Sequence, residues 1–254
     1  MSTEQFVFES LLNNSEDCSL IVDHLMVMDA RMNAQNDSFF PFEEKIQNLL
    51  TAFNRDSRIL NELVLNKTSF LEPPMLITMN GNSVNFPPSG VIPFKGISLF
   101  AAFCCYLSSD DCIAYQYFFK LYSKYFSKLN CFSGQNQCIL YLCDLFENLL
   151  LEVDIDLVKF MISLGVFPLK IAFSWIFYGF LNYLAMDQIF VLWDRIIAFD
   201  SLDFLPLMAV AIFVFRKDSI LKCTCEDEIY ELFQDGSLLL VMPLLQSLLF
   251  KTSS

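Results

Sequence analysis

Apolar residues recur at helical spacing along most of the chain, with polar residues on the opposite face. The first clear case follows Asp37 and Ser38, which can cap a helix, and a proline lies in the first turn. Its apolar positions are Phe42, Ile46, Leu49, Leu50 and Phe53. Because a spacing of three and four residues places side chains on one helix face, the pattern predicts a helix that ends near Asp56.

The same spacing predicts a succession of helices from Gly96 onward. The predicted segments are 111–129, 137–151, 156–164, 169–185, 187–199, 204–220, 226–234 and 237–250. The segment 169–185 is apolar on almost every side, which is typical of a helix that its neighbours bury. The sequence therefore predicts an all-α fold, a bundle of many helices.

Segment 111–129 shows both kinds of helix face. The residues predicted to share its buried face are Ile113, Tyr117, Leu121, Tyr125 and Leu129. Three lysines, Lys120, Lys124 and Lys128, recur at every fourth residue and form a basic stripe. A basic stripe of this kind is typical of a solvated helix face, and docking of an acidic partner is the alternative.

Residues 61–92 interrupt the helical pattern. Proline pairs at 73–74 and 87–88 and glycines at 81 and 90 occur before another helix becomes established. A long connection without regular structure is uncommon within a compact domain and is usually functional, disordered or inserted. We therefore expect an N-terminal segment, 1–19, and one helical domain, 20–250, with an irregular insertion at 61–92.

Composition and charge narrow the possible partners. The 254 residues are 55% hydrophobic, enough to fill a large core. A formal net charge of −13, from 29 acidic and 16 basic residues, repels the phosphate backbone of nucleic acids. We therefore expect no nucleic-acid partner.

The mean hydropathy of +0.46 raises the question of a membrane. Three apolar, uncharged stretches, 171–186, 96–109 and 237–250, all fall short of the about 20 apolar residues that a span requires. The N-terminus also lacks the basic and apolar regions of a signal peptide. We expect a cytoplasmic protein without an integral membrane segment. Peripheral membrane association stays open, and a membrane-associated helical protein is the alternative of another class.

Few residues in the chain are suited to metal binding or cofactor binding. The nine cysteines form no CxxC pair, and His24 is the sole histidine, so no metal site is expected. The sequence contains neither a GxGxxG nor a GxxxxGK motif. We therefore expect no cofactor.

Three apolar motifs in the C-terminal half carry a resemblance to a known family. They are 172–177, which contains Trp175, then 191–197, which contains Trp193, Asp194 and Arg195, and finally 204–212, in which a proline precedes Met-Ala-Val-Ala. Together they resemble the C-terminal half of TBC domains, the all-helical modules that activate GTP hydrolysis by Rab-type small GTPases. The resemblance covers about residues 20–250 and implies a TBC-like helical bundle. It implies structural roles for Trp175, Trp193, Asp194 and Arg195.

The resemblance also implies positions for two catalytic side chains. The family supplies an arginine from an Ile-x-x-Asp-x-x-Arg-Thr motif and a glutamine from a Tyr-x-Gln-Gly-Met motif. The best register keeps the aspartate as Asp29, places Met32 at the arginine position and leaves Arg31 one residue early. Lys95 takes the position of the glutamine, and Gly96 follows it. Both catalytic positions are therefore substituted.

The function that follows is a helical module that binds or regulates a GTP-bound Rab-type GTPase in vesicle trafficking, with weak or absent catalysis of its own. The expected contacts with the GTPase are Asp29, Gly96, Arg55 and Arg58, because both arginines follow the first predicted helix and can approach a phosphate. An active GTPase-activating protein is the alternative, in which Arg31, Arg55 or Arg58 replaces the missing arginine.

Overall fold

The described part of the chain is almost entirely helical. The computed structural model describes residues 3–17, 21–33, 39–65, 75–77 and 83–250. The chain divides into two compact units, Met1–Ser127 and Lys128–Ser254. Within the described ranges, the strands form one short hairpin and most other residues lie in helices. The predicted all-α fold is confirmed.

The first unit is built around one central helix. Its described elements are α1 (Thr3–Asp17), α2 (Ile21–Asn33), a 3₁₀ turn (Phe40–Phe42), α3 (Glu43–Arg55), α4 (Ser57–Leu65), β1 (Met75–Ile77), β2 (Ser83–Asn85), α5 (Ile97–Leu107) and α6 (Asp111–Leu121). A π-helical turn (Tyr122–Phe126) then leads into the short α7 (Ser127–Leu129). Because α3 packs against α1, α2, α5 and α6, it occupies the centre of this unit.

The sequence of α3 explains its central position. Ile46, Leu49 and Phe53 lie three or four residues apart and are buried on the same face. The helix ends where its apolar pattern predicts. The two predicted cap residues, Asp37 and Ser38, lie outside the described residues.

The region predicted to be an irregular insertion, 61–92, has more regular structure than expected. Helix α4 continues to Leu65 because Ile59, Leu60 and Leu63 bury one of its faces. Strands β1 and β2 then pair as an antiparallel hairpin. The apolar spacing of α4 predicts a helix, but the prolines and glycines that follow it led to the prediction of irregular structure.

The N-terminal segment predicted for 1–19 contains α1, which packs against α3 and α6. The buried ring of Phe8 lies 5.2 Å from the ring of Tyr115, measured between centroids. Such an aromatic contact adds to the free energy gained by burying the rings. Helix α1 is therefore packed into the first unit.

The buried face predicted for segment 111–129 is wrong in its first half. Ile113 and Tyr117 are 43% and 42% exposed, whereas Tyr115 and Phe118 are buried. The π-helical turn adds one residue to a turn and so rotates the following side chains. The prediction holds from that turn onward, where Tyr125 and Leu129 are buried.

The second unit is organised around α11. Its helices in the described ranges are α8 (Ile139–Ser163), α9 (Pro168–Phe177), α10 (Met186–Phe199), α11 (Phe204–Ile220), α12 (Glu226–Leu232) and α13 (Val241–Leu249). Helix α11 packs against the other five. Its residues 208–213 are all buried, which explains why it carries little polar surface in that stretch.

Helix α8 contains the break that separates two predicted helices, 137–151 and 156–164. Asp154 has φ −157° and ψ 79°, which is not a helical conformation. Its carboxylate accepts a hydrogen bond from the Leu157 N–H at 3.0 Å and forms an ion pair with Lys217 of α11. Asp154 therefore caps the second part of α8 and also attaches it to α11.

Helix α9 is shorter than the predicted helix 169–185, because the chain turns after Phe177. Gly179 and Phe180 have φ values of +58° and +64°, in the left-handed region. The buried indole of Trp193 donates a hydrogen bond to the Gly179 carbonyl oxygen at 3.0 Å. A Cβ atom at residue 179 would lie 2.6 Å from the indole ring. Close packing against Trp193 therefore requires glycine at the end of α9.

The prediction that the chain has no integral membrane segment concerns its longest apolar helices. Among the described residues, no single helix is both long and apolar enough to cross a membrane, although α8 and α9, which meet at a bend of 112°, pass the same test as a pair.

All cysteines in the described ranges carry free thiols, and most are buried. Burial raises the pKa of Cys105 to about 12 and that of Cys143 to about 11, so these thiols stay protonated and pack as small apolar groups.

Substituting Gly179 tests the turn that ends α9. We expect Gly179→Ala to lower the free energy of unfolding by about 3 kcal/mol, because the new methyl group combines a left-handed backbone with a clash against Trp193. Urea denaturation followed by circular dichroism measures this loss.

Gly165→Ala is the matched control for that variant. Gly165 also has a positive φ, +83°, but a Cβ atom there would meet nothing within 4 Å. We expect a loss of only about 1 kcal/mol, from the backbone alone. Equal losses in the two variants would show that the close approach to Trp193 contributes nothing.

Candidate functional site

The two segments that carry the predicted catalytic positions meet in the first unit. Asp29 lies on α2 and is buried, with 7% of its surface exposed. Its Oδ1 atom accepts a hydrogen bond from the Gly96 N–H at 2.7 Å, and its Oδ2 atom accepts one from the Ser98 N–H at 2.9 Å. The Asp29 carboxylate therefore satisfies backbone donors at the N-terminus of α5, where the helix leaves them without partners.

Two residues that the sequence analysis missed complete this contact. The Ser98 hydroxyl lies 2.6 Å from Asp29 Oδ2, and the Asn33 side-chain amide donates to the Ser98 Oγ at 2.7 Å. The same amide donates to the Asp29 carbonyl oxygen at 3.2 Å. We call Asp29, Asn33, Gly96 and Ser98 the α2–α5 junction. Asn33 directly follows Met32 in the motif register, and this position could have indicated from the sequence that Asn33 belongs to the site.

Gly96 is required at this junction for conformational reasons. Its φ of +89° lies in the left-handed region, which other residues rarely adopt. That conformation directs the N–H of Gly96 to the carboxylate just before α5 begins. The glycine that the resemblance places next to Lys95 therefore has a structural role in the junction.

The side chains at the catalytic positions lie beside the junction and are exposed. Met32, three residues after Asp29 on α2, is 54% exposed, and Lys95 precedes Gly96 on the surface. Arg31 points about 100° away from Met32 around the helix. Its Nε atom lies 3.8 Å from a Glu43 carboxylate oxygen, a surface ion pair of little energetic value.

Arg55, predicted to contact a GTPase, is instead part of the interior. Its guanidinium forms an ion pair with Asp23 of α2, and only 9% of its side chain is exposed. The neighbouring Asn54 amide donates to Asp23 Oδ1 at 3.1 Å. Removing one partner of a buried ion pair strongly lowers the stability of the folded protein. The pair of Arg55 with Asp23 therefore holds α3 to α2. This burial does not fit the predicted contact with a GTPase.

Arg58 is partly exposed but is also held in place. Its Nε and Nη2 atoms donate to both carboxylate oxygens of Asp56, at 2.6 to 3.1 Å. The Tyr115 hydroxyl donates to the same carboxylate at 2.7 Å. The hydrogen bond with Asp56 raises the pKa of Arg58, and burial together with the negative charge of Asp56 raises the pKa of Tyr115. A phosphate would have to compete with Asp56 for this arginine.

The four residues expected to be structural lie in the second unit. Trp193 is buried against Gly179, and the buried Trp175 stacks on Tyr183 with ring centroids 4.3 Å apart. Arg195 and Asp194 form a surface ion pair at 2.7 Å, with 76% of the aspartate side chain exposed. The two tryptophans therefore stabilise the core of this unit, whereas the ion pair contributes little.

Metal chemistry has no support in the ranges that the structure describes, since no group of three or more histidine, cysteine, aspartate or glutamate side chains there could hold an ion.

The α2–α5 junction is expected to contribute measurably to stability. We expect Asp29→Asn to lower the free energy of unfolding by about 3 kcal/mol. The substitution replaces one carboxylate oxygen with an NH₂ group, which faces hydrogen-bond donors and leaves them without an acceptor. Urea denaturation followed by circular dichroism measures the loss.

Ser98→Ala is the matched control for the junction. It removes the hydroxyl contacts but keeps the backbone N–H donor to Asp29, so we expect a loss of about 1 kcal/mol. If Asp29→Asn is no more damaging than Ser98→Ala, the carboxylate does not hold the two segments together.

Comparison with known proteins agrees with this architecture. Residues 94–221 match the model of the Rab-GTPase-TBC domain, a region that includes Lys95, Gly96 and both tryptophans. Human TBC1 domain family member 19 is 36% identical over 251 aligned residues, which cover 96% of this chain and 47% of the relative. The chain thus spans about half the length of the curated relative that it matches. With the all-α fold, these matches show that the chain belongs to the Rab-GTPase-TBC domain family.

Proposed function

We propose that this chain binds a GTP-bound Rab-type GTPase at the surface around Met32 and Lys95 and adds little to its rate of GTP hydrolysis. The observation that carries the proposal is the α2–α5 junction, in which Asp29 joins the two segments that the family motifs occupy. The junction is complete, whereas the exposed side chains beside it are those of methionine and lysine. The arrangement supports binding without the usual catalytic groups.

The chemistry of GTP hydrolysis supports weak catalysis. Acceleration requires positive charge near the transferred phosphoryl group and a side chain that orients the attacking water. The thioether of Met32 carries no charge and is only a weak acceptor. The ammonium group of Lys95 has three donors and no acceptor, so it cannot hold water as a glutamine amide does. Neither side chain replaces the group that the motif supplies.

The alternative is an active GTPase-activating protein that uses a displaced arginine. Arg31 is exposed, but it points away from the face of Met32. Arg55 is buried with Asp23, and Arg58 is bound by Asp56. Use of Arg55 or Arg58 would require breaking an existing ion pair, which disfavours this alternative.

Restoring the missing groups tests the proposal. The unmodified chain is mixed with a panel of GTP-loaded Rab GTPases, and single-turnover hydrolysis is measured for each. We expect the unmodified chain to accelerate hydrolysis by less than about tenfold, and the double variant Met32→Arg, Lys95→Gln to gain on the order of 10³-fold for a GTPase that binds.

Two arginine variants separate the proposal from its alternative. Arg31→Ala and Arg58→Ala should leave the low rate unchanged, because neither guanidinium takes part. Strong acceleration by the unmodified chain that either substitution abolishes would establish the active enzyme and refute the proposal.

A further inference from the structure

Helix α2 has apolar side chains on two opposite faces. One face packs into the first unit through Val22, Met26 and Ala30, which are 7%, 0% and 0% exposed. The other face carries Ile21, Leu25, Met28 and Met32, which are 72%, 51%, 60% and 54% exposed. We call these four residues the α2 stripe. A surface helix ordinarily places charged and polar residues on its outer face, so the stripe departs from the usual pattern.

Helix geometry makes the α2 stripe one continuous surface. Its residues are four, three and four positions apart, which places them within an arc of about 60° at 100° per residue. They extend about 16 Å along the axis, at about 1.5 Å per residue. Contiguous exposed apolar surface of this kind marks an interaction site more often than a scatter of single residues does.

Exposed polar side chains border the α2 stripe on one side. By helix angle, His24 and Arg31 lie along that side, whereas the buried Asp29 lies on the other side, toward the first unit. An apolar centre with a polar border is the usual composition of a protein–protein interface. Methionine, which provides two of the four side chains, adapts its shape readily to a partner surface.

The position of Met32 indicates which partner covers the α2 stripe. Met32 ends the stripe and also occupies the position from which the family motif directs an arginine to the nucleotide of the GTPase. A GTPase whose nucleotide lies near Met32 and Lys95 also lies against the exposed face of α2. The stripe is therefore continuous with the surface around Met32 and Lys95 that the proposed function assigns to the GTPase.

We propose that the α2 stripe is an apolar docking surface for the Rab-type GTPase. The affinity then comes chiefly from burying Ile21, Leu25 and Met28 rather than from contacts with phosphate, and Met32 extends this apolar surface into the position of the missing arginine. This inference rests on the proposed function, and it adds the residues and the kind of contact that hold the partner.

The test compares two variants of the full chain. The stripe variant carries Ile21→Gln, Leu25→Gln and Met28→Gln, and the control carries Val64→Gln and Leu65→Gln on α4, where the side chains are 58% and 75% exposed. Glutamine favours helix, and all five positions are exposed, so both variants should keep the circular dichroism spectrum and thermal midpoint of the unmodified chain.

Binding is measured by calorimetry against a panel of purified Rab GTPases loaded with a non-hydrolysable GTP analogue. For a GTPase that binds the unmodified chain, we expect the stripe variant to bind at least about tenfold more weakly, as when central apolar contacts are lost. The control should bind within about twofold of the unmodified chain, since exposed residues outside an interface contribute little.

Three results would overturn the inference. If the stripe variant binds as tightly as the control, the GTPase docks elsewhere, although the proposed function stands. If sedimentation shows that the unmodified chain self-associates and the stripe variant does not, a second copy covers the α2 stripe. If no member of the panel binds the unmodified chain, the proposed function itself fails, and the assignment of this partner fails with it.

Discussion

The candidate site of the first unit depends on a single buried carboxylate. Asp29 receives two backbone N–H groups and one hydroxyl from the start of α5, and Asn33 supports the hydroxyl from the next turn of α2. A buried charge is costly unless such donors surround it, so the interaction is specific in position and direction. It brings together segments 67 residues apart in the chain, which no local preference could hold side by side.

The residues that hold the site together are different from those that it exposes to solvent. Asp29 and Gly96 are buried in the junction, whereas Met32 and Lys95 project into solvent beside it. The hydrogen bonds that hold the junction together come from Asp29, Asn33, Gly96 and Ser98. A shared fold does not determine activity, so membership of the Rab-GTPase-TBC domain family shows the fold of this chain.

The second unit shows the same separation between core and surface. Trp193 is held by a hydrogen bond to the Gly179 carbonyl and by close contact with that glycine. These contacts give the motif tryptophan a structural role in the core. The adjacent Asp194 is exposed and pairs with its neighbour Arg195, which makes it a surface residue despite its place in the motif. Membership of a motif indicates the fold, and burial decides the role of each residue.

The sequence by itself determined the all-α fold and most helix positions, because helical spacing is a property of consecutive residues. Only the tertiary structure showed the buried pairing of Arg55 with Asp23, 32 residues away, and the exposure of the α2 stripe. The sequence also missed the early end of α9 and the rotation at the π-helical turn. Each of these depends on which surfaces meet after folding, and apolar spacing along one segment cannot distinguish a face covered by another helix from a face left open.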